Sequence, residues 1–252
     1  MLYKRVLSSL GIILFGACLF VLPEAYSQAF IWALCLGLVY ENVKLATGIT
    51  YAVAISAIFV VATAILQYSH DFYYYAVAMM YLSLLARVFC MYKDIRSPFF
   101  FLASASLDIA VFTYTVIVML LTNKVLLFSS ILLISGIDIS GYFGGKFFGK
   151  KRVVPTISPN KTEAGYLSAL LWMGVCAFIL MIWQDLSIML LTLNLLVVYI
   201  LAIAGDLAMS FQKRVAGVKD TGSILPGHGG LLDRVDSWMT TLPYLFIWIS
   251  IN

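Results

Sequence analysis

The sequence predicts an all-α integral membrane protein with about nine transmembrane helices. Of the 252 residues, 63% are hydrophobic and only 11% are charged, whereas about a quarter of the residues in a soluble domain are charged. The apolar residues form long runs, which is typical of membrane helices, because the strands of a transmembrane barrel alternate apolar and polar residues. This composition excludes a disordered chain and a single water-soluble domain.

Nine apolar stretches are the predicted transmembrane helices. A helix needs about 20 residues to cross the hydrocarbon core, so we expect the ends of the short first, second and last stretches at the headgroup level. Pro98 suits the first turn of the fifth helix. We expect the first stretch to be retained, because no small-residue cleavage site follows it. The stretches are residues 6–22, 27–43, 47–67, 72–92, 98–121, 125–143, 164–183, 187–209 and 238–251.

The polar residues are concentrated in the second part of the chain. We divide the chain into residues 1–97, with the first four helices, and residues 98–252, with the other five. The second region has two long loops, 144–163 and 210–237, which hold much of the Gly, Lys, Arg and Asp. We therefore expect the chemistry of the protein at the face that carries these loops.

The basic residues predict the orientation of the chain. With nine helices, 15 of the 16 Lys and Arg residues lie on one side of the membrane, and only Lys124 lies on the other. Because basic loops stay in the cytoplasm, this predicts a multi-pass protein of the inner (cytoplasmic) membrane. Its N-terminus and both long loops face the cytoplasm, and its C-terminus lies outside. The net charge of +4 is modest and there is no separate basic domain, so nucleic acid is not an expected partner.

The second long loop and its flanks contain residue types suited to phosphoryl-group chemistry. Carboxylates bind Mg²⁺, Lys and Arg donate hydrogen bonds to phosphate oxygens, and glycine lets backbone N–H groups approach a polyanion. The carboxylates are those of Asp206, Asp233 and Asp236. The cationic residues are Lys213, Arg214, Lys219 and Arg234, and the glycine-rich run is 227–230.

The first long loop offers a second set of phosphate donors, and simpler interpretations stay open for several residues. It follows Asp138 and contains Ser158 and Lys161, but it matches neither a dinucleotide-binding motif nor a P-loop. Basic loop residues also mark topology or contact lipid headgroups, and Asp233 could lie on a solvated surface. Asp206 is harder to explain in this way, because a carboxylate near the end of an apolar helix is costly unless it has a function.

Asp108 and His228 each allow more than one interpretation, whereas the cysteines need none beyond packing. Asp108 stands alone in an apolar stretch, where it could pair with Arg87, be protonated or line a polar cavity. His228 could be structural or contact a phosphate, and its distance in sequence from His70 argues against a zinc site. The four cysteines lie in separate apolar runs, where we expect buried free thiols.

Residues 210–236 form a specific pattern, which reads S-x-x-K-R-x₄-K-D-x-G-x₃-P-G-H-G-G-x-x-D-R-x-D. The pattern resembles the signature of the phosphatidate cytidylyltransferases, also called CDP-diacylglycerol synthases. Fourteen positions in 27 residues carry the match, and the overall layout resembles the family over nearly the whole chain. These residues are Ser210, Lys213, Arg214, Lys219, Asp220, Gly222, Pro226, Gly227, His228, Gly229, Gly230, Asp233, Arg234 and Asp236.

The region upstream of this pattern also resembles the family, with three departures. Met209 stands where the family usually has Glu, Ala164 stands where it usually has Glu or Gln, and Gly141 replaces an Ala. The lead-in 205–207 is similar as well. The other similar residues are Asp138, Tyr142, Gly149, Lys150, Pro155, Ser158, Pro159, Lys161 and Thr162.

The resemblance implies that CTP and phosphatidic acid react to give CDP-diacylglycerol and pyrophosphate, in phospholipid biosynthesis. It implies membrane lipids and a second copy of the chain, in a homodimer, as further partners. It also implies Mg²⁺ as a cofactor, bound by Asp206, Asp233 and Asp236, with room for a second cation. The implied catalytic residues are Asp206, Asp233, Lys213 and Lys219. The implied substrate-binding residues are Ser158, Lys161, Ser210, Arg214, His228, Gly229, Gly230 and Arg234.

Two alternative functions fit part of the pattern. A CTP-dependent kinase acting on a polyprenol or phytol would share a nucleotide-binding loop but would lack the complete pattern over 219–236. A multi-pass transporter could use Asp108, Asp138 and Asp206, but it would not need fourteen fixed positions at one cytoplasmic loop. Pyrophosphate release from CTP in the presence of phosphatidic acid separates these alternatives.

Overall fold

The computed structural model describes residues 20–47, 70–183, 187–222 and 229–251. These described residues form seven α-helices and no β-strand, apart from a single antiparallel bridge between Arg152 and Thr162. The helices are α1 (Glu24–Thr47), α2 (His70–Lys93), α3 (Pro98–Thr122), α4 (Lys124–Phe148), α5 (Glu163–Trp183), α6 (Ile188–Val215) and α7 (Leu232–Ile251).

Six of the described helices, α1 to α6, are long and apolar enough to cross a membrane. The predicted all-helical membrane fold is thus confirmed in part: helices occupy seven of the nine predicted stretches, but α7, which covers the predicted stretch 238–251, is not among those apolar enough to span. The first and third stretches, 6–22 and 47–67, lie almost entirely outside the described residues. The count of nine helices therefore stays a prediction.

The helix α3 lies at the centre of the bundle. It packs against α1, α2, α4, α6 and α7, and most of its residues are buried. Pro98 lies in its first turn, as predicted, and Asn123 ends it. The Asn123 side chain also accepts a hydrogen bond from Leu126 N and so caps α4. Two further helix pairs, α4 with α5 and α6 with α7, pack closely and carry most of the predicted site residues.

Large apolar side chains cover much of the outer surface of the bundle. Leu171 and Phe178 on α5 are exposed, as are Met189 and Ile200 on α6. Exposure of so large an apolar surface to water would be unfavourable, whereas contact with apolar lipid tails is not. The surface therefore agrees with a multi-pass membrane protein.

An ion pair between α2 and α3 decides among the interpretations of Asp108. Arg87 Nη2 lies 2.5 Å from Asp108 Oδ2, and both side chains are 1% exposed. A charged residue inside a membrane segment is tolerated when it has such a partner. Asp108 therefore pairs with Arg87, the first of the predicted alternatives.

Three of the four cysteines are free thiols, as predicted, but only Cys35 is fully buried. Cys35 is buried, Cys90 and Cys176 are partly buried, and all three are free. Cys18 lies outside the described residues. These thiols act as small apolar side chains.

The predicted bounds of the two long loops are wrong. Helix α4 continues to Phe148 and α5 begins at Glu163, so the first connection is 149–162 rather than 144–163. Helix α6 continues to Val215 and α7 begins at Leu232, so the second connection is 216–231 rather than 210–237. Hydropathy marks where a helix leaves the apolar layer, whereas backbone hydrogen bonding carries the helix on into polar sequence.

Candidate active site

Close packing of α6 on α7 brings two predicted acidic residues together. A Cβ at Gly205 would collide with Thr240 Oγ1 and would lie 3.0 Å from Asp236 O. Only glycine permits this approach. As a result Asp206, the next residue on α6, faces the first two turns of α7.

Three carboxylates and one ammonium form the first group of the site. Lys161 Nζ, from the connection 149–162, lies 2.6 Å from Asp206 Oδ2. Ser237 Oγ donates a 3.0 Å hydrogen bond to Oδ2 of Asp138, which lies within α4. Asp236 lies close enough to Asp206 and Asp138 to feel the charge of both. We call these four residues, Asp138, Lys161, Asp206 and Asp236, the acidic group.

The carboxyl groups of the acidic group and its one ammonium shift one another's pKa values. Burial raises the pKa of Asp236 well above its ordinary value, and the neighbouring Asp206 and Asp138 carboxylates raise it further. Burial opposes the charged form of Lys161, but the Asp206 and Asp138 carboxylates outweigh this effect and raise its pKa. Burial and the repulsion between carboxylates thus favour the neutral form of Asp236, whereas Lys161 keeps its charge.

Asp233 organises the second group of the site, at the start of α7. Its Oδ1 lies 2.7 Å from Lys213 Nζ. Its Oδ2 accepts hydrogen bonds from Thr221 N and Gly230 N, both at 2.9 Å, and from Thr221 Oγ1 at 3.2 Å. Burial acts to raise the pKa of Asp233, but the hydrogen bonds and charge of Lys213, with the two backbone N–H groups, hold it below its ordinary value. Asp233 thereby ties together the two described ends of the connection 216–231.

Arg214 joins the two connections to each other. Its Nε donates to Ile157 O at 3.0 Å and its Nη1 donates to Val218 O at 2.9 Å. Ile157 in turn packs against Phe211 on α6. Two of the five Arg214 donors are thus used to hold backbone carbonyls, and the others can meet a phosphate.

The remaining predicted substrate-binding residues have different environments. Lys219 and Arg234 are exposed and Ser158 is half-buried, whereas Ser210 is 7% exposed. Gly229 is half-buried and Gly230 is buried. His228 lies outside the described residues. The structure therefore places all of the predicted residues that it describes at one end of the helical bundle, but it does not bring them all into one group.

The three predicted metal ligands divide between the two groups. Asp206 and Asp236 belong to the acidic group, whereas Asp233 is held by Lys213 and backbone N–H groups. In the described part of the chain, no group of three or more Asp, Glu, His or Cys side chains is arranged so that it could hold a metal ion. Met209, where the family usually has Glu, is buried in the apolar core rather than in either group.

Two polar residues of α1 also reach the site, and sequence reasoning missed both. Glu41, which is 1% exposed, accepts hydrogen bonds from Thr221 Oγ1 at 2.9 Å and Leu232 N at 3.0 Å. Asn42 Oδ1 accepts a 2.7 Å hydrogen bond from Gln212 Nε2. The signal was available, because Glu41 is a carboxylate near the end of an apolar stretch, as Asp206 is.

The fold and the site define a class of protein: a multi-pass membrane protein with paired acidic and basic side chains that come from several of its helices and from the connections between them. Within this class, the chain belongs to the cytidylyltransferase family, whose sequence model matches residues 3–252. This result confirms the resemblance that the pattern at 210–236 predicts.

Individual relatives match a shorter part of the chain. The phosphatidate cytidylyltransferase of Staphylococcus saprophyticus is 45% identical over 113 residues, which are 44% of this chain and 43% of the relative. The phosphatidate cytidylyltransferase of Bacillus subtilis is 38% identical over 127 residues, 50% of this chain and 47% of the relative. The uncharacterized protein YnbB of Escherichia coli is 41% identical over 113 residues, 44% of this chain and 38% of the relative. Each match spans less than half the length of the relative.

Proposed function

We propose that the chain is a phosphatidate cytidylyltransferase, which joins CTP and phosphatidic acid to form CDP-diacylglycerol and pyrophosphate. Family membership and the names of the relatives support this activity. The observation that carries the proposal is the meeting of Lys161, Asp206 and Asp236 from three separate segments at the end of apolar helices. A lipid phosphate held at the membrane surface and a water-soluble nucleotide can both reach such a position.

The reaction requires positive charge more than it requires a protein nucleophile. An oxygen of the lipid phosphate attacks the α-phosphorus of CTP, the bond to the β-phosphate breaks, and pyrophosphate leaves. The lipid phosphate is already ionised at neutral pH, so the task of the protein is to hold two polyanions that repel each other. Lys161 and Lys213, now paired with Asp206 and Asp233, are the cations that we assign to these phosphates.

Mg²⁺ is the proposed cofactor, with Asp206, Asp233 and Asp236 as its protein ligands. The donor chemistry fits, because carboxylate oxygens are preferred by this ion. Mg²⁺ is usually held by one or two carboxylates together with substrate phosphates and water, so a site completed by CTP agrees with the separation of Asp233 from the acidic group. The bound ion would neutralise phosphate charge. The surplus carboxylate of Asp138 leaves room for a second cation.

The proposed orientation of the chain in the membrane follows from the compartment in which CTP is found. CTP is a cytoplasmic polyanion, so both connections, 149–162 and 216–231, would face the cytoplasm in the inner membrane. The positions of the basic residues support this orientation. Assembly as a homodimer and the division at residue 97 stay predictions from the sequence.

An assay with purified protein tests the proposed activity. We expect wild-type protein with CTP, Mg²⁺ and phosphatidic acid to release pyrophosphate and form CDP-diacylglycerol. Asp206→Asn should abolish turnover, because it removes a carboxylate from the acidic group. Asp94→Asn is the control, since Asp94 is an exposed residue whose ion pair is with Arg96.

The alternative activities predict different products. Formation of CDP from CTP with a polyprenol or phytol, and none with phosphatidic acid, would support the lipid kinase instead. Full activity of Asp206→Asn would remove this residue from the catalytic assignment while leaving the reaction itself supported.

A further inference from the structure

Glu41, on α1, is hydrogen-bonded to one residue of the second connection and to the residue that directly follows this connection. Its Oε2 accepts hydrogen bonds from the Thr221 hydroxyl and from the backbone N–H of Leu232, at 2.9 and 3.0 Å. These two donors lie on either side of residues 223–228, one directly after Asp220 and the other at the first residue of α7. One carboxylate thus fixes both described ends of the segment.

The Thr221 hydroxyl links Glu41 to Asp233. Thr221 Oγ1 lies 2.9 Å from Glu41 Oε2 and 3.2 Å from Asp233 Oδ2. Asp233 is in turn the partner of Lys213. A substitution at Glu41 can therefore alter the Asp233–Lys213 ion pair, which we assign to phosphate binding, because a single buried hydroxyl links the two.

Two glycines of the family pattern make room for the Glu41 carboxylate. A Cβ at Gly222 would collide with Glu41 Oε1, and a Cβ at Gly230 would collide with Glu41 Oε2 and Thr221 Oγ1. Glu41 Oε1 is buried and has no hydrogen-bond partner among the described residues. The backbone of the connection is thus packed directly onto this side chain.

The neighbouring residue keeps α1 in place. Asn42 donates hydrogen bonds to Leu102 O and Ser106 Oγ on α3, both at 3.1 Å, and accepts one from Gln212 on α6. Because α1 is bound in this way to two other helices, Glu41 is a rigid support rather than a mobile one. Rigid support of this kind holds a functional segment in its working geometry.

We propose that Glu41 is a positioning residue: from α1 it sets the geometry of the two described parts of the connection, 216–222 and 229–231, to which we assign phosphate binding. The kinetic consequences of this inference rest on the proposed cytidylyltransferase activity. The anchoring of the connection by Glu41 does not depend on that activity. Glu41 need not touch either substrate. It acts through Thr221 and the N–H of Leu232.

The kinetic test compares Glu41→Ala with Val39→Ala. Val39 is also buried on α1, so its truncation reports the general cost of a defect in this helix. We expect Glu41→Ala to lower kcat/KM for CTP by about 10- to 100-fold per folded molecule, the effect of losing hydrogen bonds to a charged group. Val39→Ala should leave kcat/KM for CTP within about 3-fold of the wild-type value, because a packing change that shares no partner with the site acts independently of it. Glu41→Gln keeps an acceptor oxygen and should restore most of the loss.

Thr221→Val provides a second variant that acts on the same contact. If Glu41 acts through the hydroxyl, the double variant Glu41→Ala/Thr221→Val should be little worse than Glu41→Ala alone, because residues in contact are not additive. A purely structural role for Glu41 predicts instead that the two losses multiply and that KM for CTP is unchanged.

Hydrogen–deuterium exchange of the substrate-free protein gives a readout that does not need activity. The amide of Leu232 should exchange at least about tenfold faster in Glu41→Ala than in Val39→Ala, since its acceptor is gone. Unchanged exchange, or equal kinetics for both variants, would overturn the inference. If wild-type protein formed no CDP-diacylglycerol, the proposed function would fail, and the exchange experiment would still decide whether Glu41 anchors the connection.

Discussion

Replacing Asp233 with alanine removes the acceptor that joins three parts of the site. The change leaves the Lys213 ammonium, which is 11% exposed, without its 2.7 Å partner. It also leaves the Thr221 and Gly230 N–H groups without their acceptor. Truncating one partner of a buried ion pair costs about 3–5 kcal/mol, mostly because the other charge stays buried.

We place the effect at the lower end of that range, because water reaches part of the Lys213 side chain. A loss of about 3 kcal/mol in a chain of this size corresponds to a fall of about 6–12 °C in the unfolding temperature. Thermal unfolding in detergent micelles measures this shift. Arg96→Ala is the control: it breaks an ion pair with Asp94 whose side chains are 59% and 65% exposed, and exposed ion pairs contribute little to stability.

The double variant Asp233→Ala/Lys213→Met tests the cause of the effect. Removing both charges removes the unpaired ammonium, so the double variant should be more stable than Asp233→Ala alone. A fall in unfolding temperature for Asp233→Ala that is no larger than for Arg96→Ala, or a double variant less stable than both single ones, would refute this reasoning.

The stabilisation by Asp233 should also depend on pH. Its pKa lies below the ordinary value of 3.8 in the folded protein. A lowered folded-state pKa contributes stability that is present above the unfolded value and is lost as the pH falls below it. The unfolding temperatures of wild type and Asp233→Asn should therefore approach each other below about pH 4, and an equal difference at pH 3 and pH 7 would contradict the assignment.

Two further predictions concern phosphate binding and orientation. Lys161→Gln should lower kcat/KM by about 10- to 150-fold, the cost of a lost charge-assisted contact to phosphate. Lys93→Gln is the control and should have little effect, because Lys93 lies over the ring of Tyr92. Equal effects of the two substitutions would favour a general role of these lysines in lipid headgroup binding. In a chain whose cysteines are replaced by alanine, Asp220→Cys should be protected from impermeant thiol reagents in intact cells and Thr122→Cys, at the α3–α4 connection, should be labelled. Labelling of Asp220→Cys from outside would contradict the cytoplasmic site.

The sequence determined the helical membrane fold and the family of this protein. Hydropathy is a property of consecutive residues, so each apolar stretch that the structure describes could be identified without its neighbours. The pattern over 210–236 is also continuous in sequence, and the family model confirms it over 3–252. Most of the residues at the site end of the bundle were therefore predicted from the chain alone.

The tertiary structure decided which of these residues meet. Asp206 and Asp236 share a group with Lys161, whereas Asp233 pairs with Lys213. Spacing in sequence does not separate these arrangements, because side chains on different helices approach one another according to how the helices pack. The extension of α4, α6 and α7 into the predicted loops likewise depends on backbone hydrogen bonds rather than on hydropathy.

The contact between Glu41 and the second connection was decided by tertiary structure alone. Glu41 is separated from Leu232 by most of the chain, yet the two are joined by a 3.0 Å hydrogen bond. In sequence Glu41 is one carboxylate at the end of one apolar stretch, and no local pattern names its partner. Only the packing of α1 against α3 and α7 places its carboxylate beneath Gly222 and Gly230, where the missing side chains leave space for it.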